Sequence, residues 1–130
     1  MEYELVHTCI RVFDLDKSIE FYNKALGLKE AKRVDYPDKR FTLVYMADEI
    51  SGHEIELTYN YDQNGPYELG NGYSHVAFYV DDLQKSYQAH RSAGYSVSEP
   101  KSLDDSGLKL YFVKDPDGYA IEIIELSYFY

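Results

Sequence analysis

The spacing of apolar and polar residues changes period several times along the first half of the chain. The stretch "YELVHTCIRV" has the apolar run of a strand, and "LDKSIEFYNKALG" after it has apolar residues at helical spacing. Asp14 is placed to cap the start of this helix and Gly27 its end. Two strand-like stretches follow, "RFTLVYMA" and "HEIELTYNY", separated by the polar "DEISG". The pattern predicts a strand, a helix and then two or three strands.

The second half of the chain repeats this order. It begins with the strand "YSHVAFYV" and a helix from Leu83 to about Ala93, with Gly94 as its stop. A strand near "YSVSE", a strand in "LKLYFVK", the turn "DPDG" and a strand in "YAIEIIEL" complete it. The glycine-containing "NYDQNGPYELGNG" is predicted to connect the halves. We therefore predict an α+β fold with two tandem βαβββ modules, module 1 at about residues 1–62 and module 2 at about 72–126, within a single domain over residues 1–130.

Two segments of the chain are versions of one another, "HTCIRVFDLDKS" from His7 and "HVAFYVDDLQKS" from His75. Each module also has a glutamate among the apolar residues of its last strand, Glu56 and Glu122. A lone glutamate there is typical of a solvated sheet face, and a lone histidine is typical of a partly buried side chain with a hydrogen-bond partner. Recurrence at equivalent positions favours a shared role instead. The sequence thus predicts a duplicated pair of one His and one Glu.

Two imidazoles and two carboxylates are a ligand set for a borderline divalent ion such as nickel, zinc, cobalt or iron(II). A cation also offsets the cost of burying two acidic groups together. If the two modules, or two copies of the chain, bring their sheets together, the four side chains form one metal site. His53 and His90 have no counterpart histidine in the other module and are assigned to the surface.

Strand alternation places further residues on the face of the predicted metal site. Cys9 and Arg11 share a face with His7, and Asn60 shares a face with Glu56. Arg11 could pair with a substrate carboxylate and Asn60 with a peptide-like group. That Arg11 instead neutralises a nearby glutamate is an equal alternative. Cys9 is predicted to pack rather than react.

Composition narrows the classes of partner. There are 13 basic and 23 acidic residues and the net charge is -10, which disfavours nucleic acid and anionic membrane surfaces as partners. The N-terminus shows no secretory leader, no apolar run is long enough for a membrane span, and a single cysteine suits a reducing compartment. The composition favours a cytoplasmic protein and leaves a small molecule or another protein as its partner.

The sequence resembles the glyoxalase I (lactoylglutathione lyase) family of the vicinal oxygen chelate superfamily. The resemblance runs from "HTCIRV" through "FTLVY", "IELTYNY", "YELG" and "GYSHVAF" to "FVKDPDGYAIEIIE", and "ELTYN" with "DPDGY" before "IE" is its most specific part. It implies paired βαβββ modules with cupped mixed sheets, in a homodimer with one metal per site at the interface. The implied metal ligands are His7, Glu56, His75 and Glu122.

The resemblance also implies a reaction, the isomerisation of the hemithioacetal of methylglyoxal and a low-molecular-weight thiol to an S-lactoyl thioester. Glu122 is implied as the catalytic base, with Glu56 serving the other substrate face. Histidine at the first ligand position favours Ni²⁺, with Co²⁺ or Zn²⁺ as further options. Arg11 and Asn60 match residues that hold the glutamyl carboxylate of the thiol.

The loop that contacts the thiol in this family departs from the usual pattern, since it reads "PKSLDDSG". Only Lys101 and Gly107 match as substrate-binding candidates, and Asp104 with Asp105 disfavours an anionic tail. The sequence therefore leaves the thiol open. It also leaves open the role of the terminal "SYFY", which we expect to extend freely.

Three other activities belong to the same superfamily. Extradiol dioxygenases use two His and one Glu on iron(II), and methylmalonyl-CoA epimerases usually have Gln as the second ligand, so Glu56 disfavours both. Non-enzymatic small-molecule binding proteins generally lack the metal ligands. The complete set in this sequence favours the glyoxalase I reaction.

Overall fold

A computed structural model describes residues 1–102, 105 and 107–125 of the chain. The chain divides into two compact units, Met1–Glu68 and Leu69–Tyr130. The first unit consists of one helix and four strands: β1 (His7–Arg11), α1 (Leu15–Leu26), β2 (Lys29–Tyr36), β3 (Phe41–Ala47) and β4 (Glu54–Asn60).

The first unit is a mixed sheet with its helix on one face. The strand order is β1-β4-β3-β2, with β1 parallel to β4 and the other neighbours antiparallel. Helix α1 begins where the Asp14 side chain accepts a hydrogen bond from the backbone N–H of Lys17, and it ends at Gly27, whose φ of 74° is easiest for glycine. Alternate residues of β3 and β4 are buried beneath α1. The core of the unit consists of Ile10, Val12, Phe21, Tyr22, Leu28, Val44, Met46, Ile55 and Leu57.

The second unit has the same order of elements. They are β5 (His75–Val80), α2 (Leu83–Ser92), β6 (Lys101–Ser102), β7 (Lys109–Lys114) and β8 (Ala120–Glu125). The sheet order is β5-β8-β7-β6, with β5 parallel to β8 and the other neighbours antiparallel. The predicted α+β fold of tandem βαβββ modules is therefore confirmed.

Two strands differ from the sequence prediction. The pattern gave no bounds for β2, because "KEAKRVDY" is exposed along nearly its whole length and has no apolar alternation. The prediction of a strand near "YSVSE" is wrong. Val97 makes only an isolated bridge to Val113, and the hydroxyl of Ser98 accepts the N–H of Phe112 at 2.9 Å in place of a backbone carbonyl. Regular pairing with β7 therefore begins only at Lys101.

The surface assignment of His90 is also wrong, since this residue is 6% exposed on the inner face of α2. The Tyr111 hydroxyl lies 2.7 Å from His90 Nδ1 and 2.6 Å from Ser86 Oγ. Tyr111 pairs with His90 Nδ1, which lowers the cost of burying the imidazole. His53 is exposed, as predicted.

Neither helix within the described residues has the length and apolar content that a membrane crossing requires. The predicted free extension of "SYFY" concerns residues outside the described part of the chain.

Candidate metal centre

The first unit brings His7 and Glu56 into contact. His7 begins β1, and Glu56 lies in β4 opposite Cys9, so both side chains are on the sheet face that α1 does not cover. His7 Nε2 is 2.9 Å from Glu56 Oε2. The His7 side chain is 35% exposed and the Glu56 side chain 12% exposed. The partly exposed imidazole and the mostly buried carboxylate thus form a pair that an ion could reach from solvent.

The second unit repeats this pair with His75 and Glu122. His75 Nε2 lies 3.4 Å from Glu122 Oε1, and the side chains are 30% and 14% exposed. Ser74 Oγ lies 2.7 Å from His75 Nδ1 and so fixes the orientation of the ring. A hydrogen bond at the remote ring nitrogen is the usual support of a metal-binding histidine.

The donor atoms of each pair have the spacing of ligands on a common ion. Ligands about 2.1 Å from one ion stand about 3.0 Å apart at right angles and about 3.4 Å apart at the tetrahedral angle. The separations of 2.9 Å and 3.4 Å match these values. Within either unit, the described residues form no group of three His, Cys, Asp or Glu side chains that could hold an ion. Each unit therefore brings one His and one Glu together at the spacing of metal ligands, and the residues present fit a divalent metal.

Glu56 is surrounded by polar side chains. The Thr58 hydroxyl donates to Glu56 Oε1 at 3.3 Å, and Cys9 Sγ lies 3.2 Å from the same hydroxyl. Because the hydroxyl hydrogen of Thr58 points to the carboxylate, Cys9 is the donor to Thr58. Burial, and to a lesser degree the charge of Glu56, raises the pKa of the Cys9 thiol. The thiol is therefore protonated at neutral pH, as expected for a packing residue.

Tyr45 lies on β3 directly opposite Glu56. Its ring packs edge-on against His7, with centroids 5.6 Å apart. Burial, followed by the charge of Glu56 and a hydrogen bond to it, raises the pKa of Tyr45. The phenol is therefore a neutral hydrogen-bond donor beside the carboxylate.

The equivalent positions in the second unit are apolar. Phe112 lies opposite Glu122, as Tyr45 lies opposite Glu56, and packs edge-on against His75 with centroids 5.2 Å apart. Ala77 takes the place of Cys9, and Ile124 takes the place of Thr58. The two pairs have the same residue types in different surroundings.

Residues 4–123 match the family described as Glyoxalase/Bleomycin resistance protein/Dioxygenase superfamily. The chain belongs to this superfamily. Among curated members, it is 42% identical over 124 residues to the lactoylglutathione lyase of Neisseria meningitidis, a match that covers 93% of this chain and 89% of the relative. It is 40% identical over 126 residues to a probable lactoylglutathione lyase of Vibrio cholerae, with coverages of 95% and 91%.

Solved structures of superfamily members have the same fold. The trypanothione-dependent glyoxalase I of Leishmania major superposes with a TM-score of 0.82 at 37% identity, and the match covers 97% of this chain and 88% of that one. Glyoxalase I from Zea mays gives a TM-score of 0.84 at 33% identity, and the match covers 92% of this chain and 43% of the maize chain. The resemblance to glyoxalase I is confirmed.

The structure places the predicted substrate residues within single units. Arg11 ends β1 and is exposed on the face of His7, where it pairs in register with Thr58. Asn60 ends β4, and its side-chain amide donates to the Tyr67 hydroxyl at 2.9 Å. Both residues are on the strands that carry the His7–Glu56 pair.

Lys101 is exposed in β6 and borders a cavity of about 290 Å³ whose lining includes neither His75 nor Glu122. Gly107, the other loop candidate, has a φ of 88°. Asp105 is exposed, and Asp104 is outside the described residues. Whether this loop contacts substrate stays a prediction.

Sequence reasoning in this superfamily member missed the supporting residues Tyr45 and Ser74. The alternation in "FTLVYMA" places Tyr45 on the sheet face opposite to the buried Val44 and Met46, but it does not give the register that sets Tyr45 beside Glu56. Ser74 gave no periodic signal, because it precedes β5.

Proposed function

We propose that this chain is a metal-dependent glyoxalase I that isomerises the hemithioacetal of methylglyoxal and a low-molecular-weight thiol to the S-lactoyl thioester. The observation that carries the proposal is the recurrence of one His–Glu pair at equivalent positions of two units, with donor atoms 2.9 Å and 3.4 Å apart. Relatives named lactoylglutathione lyase, which match about nine-tenths of this chain, support the same reaction.

The four residues His7, Glu56, His75 and Glu122 would hold a divalent ion. When bound, this ion would act as a Lewis acid that stabilises the negative charge developing on the substrate oxygens. Histidine in the first position favours Ni²⁺, with Co²⁺ or Zn²⁺ as further options. Neutral imidazoles and ionised carboxylates at neutral pH are the protonation states that bind such an ion.

Glu122 would be the base of the reaction. Its carboxylate removes the proton from the carbon that bears sulfur and returns it to the neighbouring carbon. The hydroxyl proton passes from the oxygen of the first carbon to the oxygen of the second, so that no atom is gained or lost. Positioned proton transfer of this kind contributes about 10² to 10⁴ in rate. Glu56 would serve the opposite face of the substrate.

Arg11 and Asn60 would hold the thiol part of the substrate. A guanidinium binds a carboxylate with two parallel hydrogen bonds. The amide N–H of Asn60 already donates to Tyr67, which directs the side-chain carbonyl of Asn60 towards other donors. Lys101 is proposed as a third contact, to the far end of the thiol.

A homodimer with sites at the interface would bring two pairs together, since each unit supplies only two ligands. A cytoplasmic location is proposed from the single cysteine, Cys9, which is free. The net charge of -10 argues against nucleic acid as a partner.

The test is an isomerase assay on metal-free protein reloaded with one ion at a time. Methylglyoxal is supplied with glutathione, trypanothione or another low-molecular-weight thiol, and thioester formation is followed. We expect no turnover without metal, and more turnover with Ni²⁺ or Co²⁺ than with Zn²⁺. Equal recovery with Zn²⁺ would contradict the nickel assignment, and an absence of thioester with every thiol and ion would contradict the function itself.

A further inference from the structure

The two glutamates of the proposed site occupy equivalent positions but have different neighbours. Glu56 accepts a hydrogen bond from Thr58 at 3.3 Å and lies opposite the phenol of Tyr45. Glu122 lies opposite Phe112, and the position of Thr58 is taken by Ile124. Among the described residues, the contact recorded for the Glu122 carboxylate is His75. Glu56 therefore has a hydroxyl donor in Thr58 and a phenol opposite it in Tyr45, and Glu122 has neither at the equivalent positions.

Burial does not account for this difference. The Glu56 and Glu122 side chains are 12% and 14% exposed, which is nearly the same. The aromatic neighbours also have the same placement, with centroid distances of 5.6 Å between His7 and Tyr45 and 5.2 Å between His75 and Phe112. At the aromatic position the two surroundings thus differ by one hydroxyl group, while the ring has the same placement.

We infer that Tyr45 and Thr58 are positioning residues that hold Glu56 as a fixed ligand, while the apolar surroundings of Glu122 leave it free to swing and carry a proton. This inference rests on the proposed function. A carboxylate oxygen that accepts hydrogen bonds in a defined direction keeps its orientation. Phe112 and Ile124 have no donor, so rotation of the Glu122 carboxylate breaks no hydrogen bond to them. The divergence of the two repeats accordingly assigns one glutamate to holding the ion and the other to moving the proton.

The test exchanges the two aromatic residues, since Tyr45→Phe removes one hydroxyl and Phe112→Tyr adds one at the equivalent position. Affinity for Ni²⁺ is measured by competition with a chromophoric chelator, in the absence of substrate, and kcat and KM are measured separately. We expect Tyr45→Phe to weaken the affinity about tenfold, as for other residues that support metal ligands. We expect Phe112→Tyr to leave the affinity at least as tight as in the wild type and to lower kcat about tenfold with little change in KM, because the new hydroxyl holds the base.

Thr58 provides a second matched pair. Thr58→Ser keeps the hydroxyl and should keep the wild-type affinity for Ni²⁺. Thr58→Val keeps the shape of the side chain but removes the donor, and should weaken the affinity for Ni²⁺. Thermal unfolding of each metal-free variant is the control, since a merely structural role would lower the melting temperature without this dependence on the hydroxyl.

Wild-type affinity in Tyr45→Phe, equal affinities in Thr58→Ser and Thr58→Val, or wild-type kcat in Phe112→Tyr would each overturn the inference. Because Ni²⁺ affinity is measured without substrate, it is independent of the reaction. A wild-type protein that binds Ni²⁺ but forms no thioester would refute the proposed function, while the affinities of the Tyr45 and Thr58 variants would still decide the role of these two residues.

Discussion

Glu122 is the residue on which the proposed chemistry depends most. Glu122→Gln should remove nearly all turnover, by about 10² to 10⁴, because an amide cannot accept the proton. Metal affinity should fall much less, since the amide oxygen is still a donor. The measurement is kcat together with Ni²⁺ content after dialysis. Near-wild-type turnover in the metal-loaded variant would exclude Glu122 as the base.

Arg11 should act on substrate affinity rather than on the chemical step. Arg11→Ala is expected to raise KM about tenfold or more for a thiol with a carboxylate, because a charge-assisted pair of hydrogen bonds is lost. Arg11→Lys keeps the charge but loses the two parallel hydrogen bonds, so its KM should lie between that of the wild type and that of Arg11→Ala. Steady-state kinetics with a thiol that has no carboxylate is the control. A KM that rises equally for both thiols would return Arg11 to a structural role.

The sequence revealed the His and Glu of each pair because duplication placed them at equivalent positions. It did not reveal Tyr45, because the register of a third strand decides which of its residues lies opposite Glu56. His90 was misassigned for a related reason. The equivalent residue of α1 is Tyr22, which is 1% exposed. His90 was assigned to the surface because module 1 has no histidine there, although both residues occupy the same buried position of the repeat.

At the scale of elements, the Tyr111 hydroxyl of β7 contacts Ser86 and His90 of helix α2 and so stabilises the packing of this helix on its sheet. Tyr111→Phe should lower the free energy of unfolding by about 1–3 kcal/mol, because the change removes the hydroxyl that pairs with His90 Nδ1 in a buried place. Tyr87→Phe is the matched control. Tyr87 is a buried residue of α2 whose ring packs against Tyr111, and removal of its hydroxyl should cost less. Denaturant unfolding at neutral pH measures both, and equal losses would contradict the special role of Tyr111.

The same hydroxyl predicts a dependence on pH. Burial raises the pKa of Tyr111 above its usual value, while the hydrogen bond with Ser86 opposes the rise. The unfolded chain therefore loses this proton first, at about pH 10, and the stabilisation present below that pH is lost as the pH rises further. The stability difference between the wild type and Tyr111→Phe should accordingly shrink above about pH 10. A difference that stays constant between neutral and alkaline pH would refute this account.

Elements with a regular apolar period were predictable, as α1 shows with caps at Asp14 and Gly27. The edge of the second sheet, near Ser98, was not predictable in this way. Ser98 there donates its backbone N–H to the Phe112 carbonyl, as a strand residue would, but accepts the Phe112 N–H with its side-chain hydroxyl. A stretch with strand-like composition therefore makes only one bridge. Local hydrogen bonding of this kind overrides β-propensity.

At the scale of the whole molecule, the proposed dimer can be tested by mixing two inactive chains. His7→Ala and His75→Ala each remove one imidazole from every site. If sites are shared between chains, subunit exchange creates mixed dimers with one complete site, and about a quarter of wild-type activity should return, because half of the dimers are mixed. Sites built within one chain would give no recovery. Exchange is verified by mass spectrometry of differently tagged chains, so that a silent mixture rejects the shared site.

The parallel pairing of β1 with β4 has a consequence for the order in which the first unit should fold. Strands β2, β3 and β4 are antiparallel neighbours that close through short connections, whereas Cys9 and Thr58 meet across 49 residues of chain. Closing the long loop costs more entropy, so we expect β1 to dock last, at the open edge of the sheet. His7 should then reach Glu56 only late in folding. An ion bound by both His7 and Glu56 would stabilise the pairing of β1 with β4 and selectively slow the detachment of β1 from the sheet.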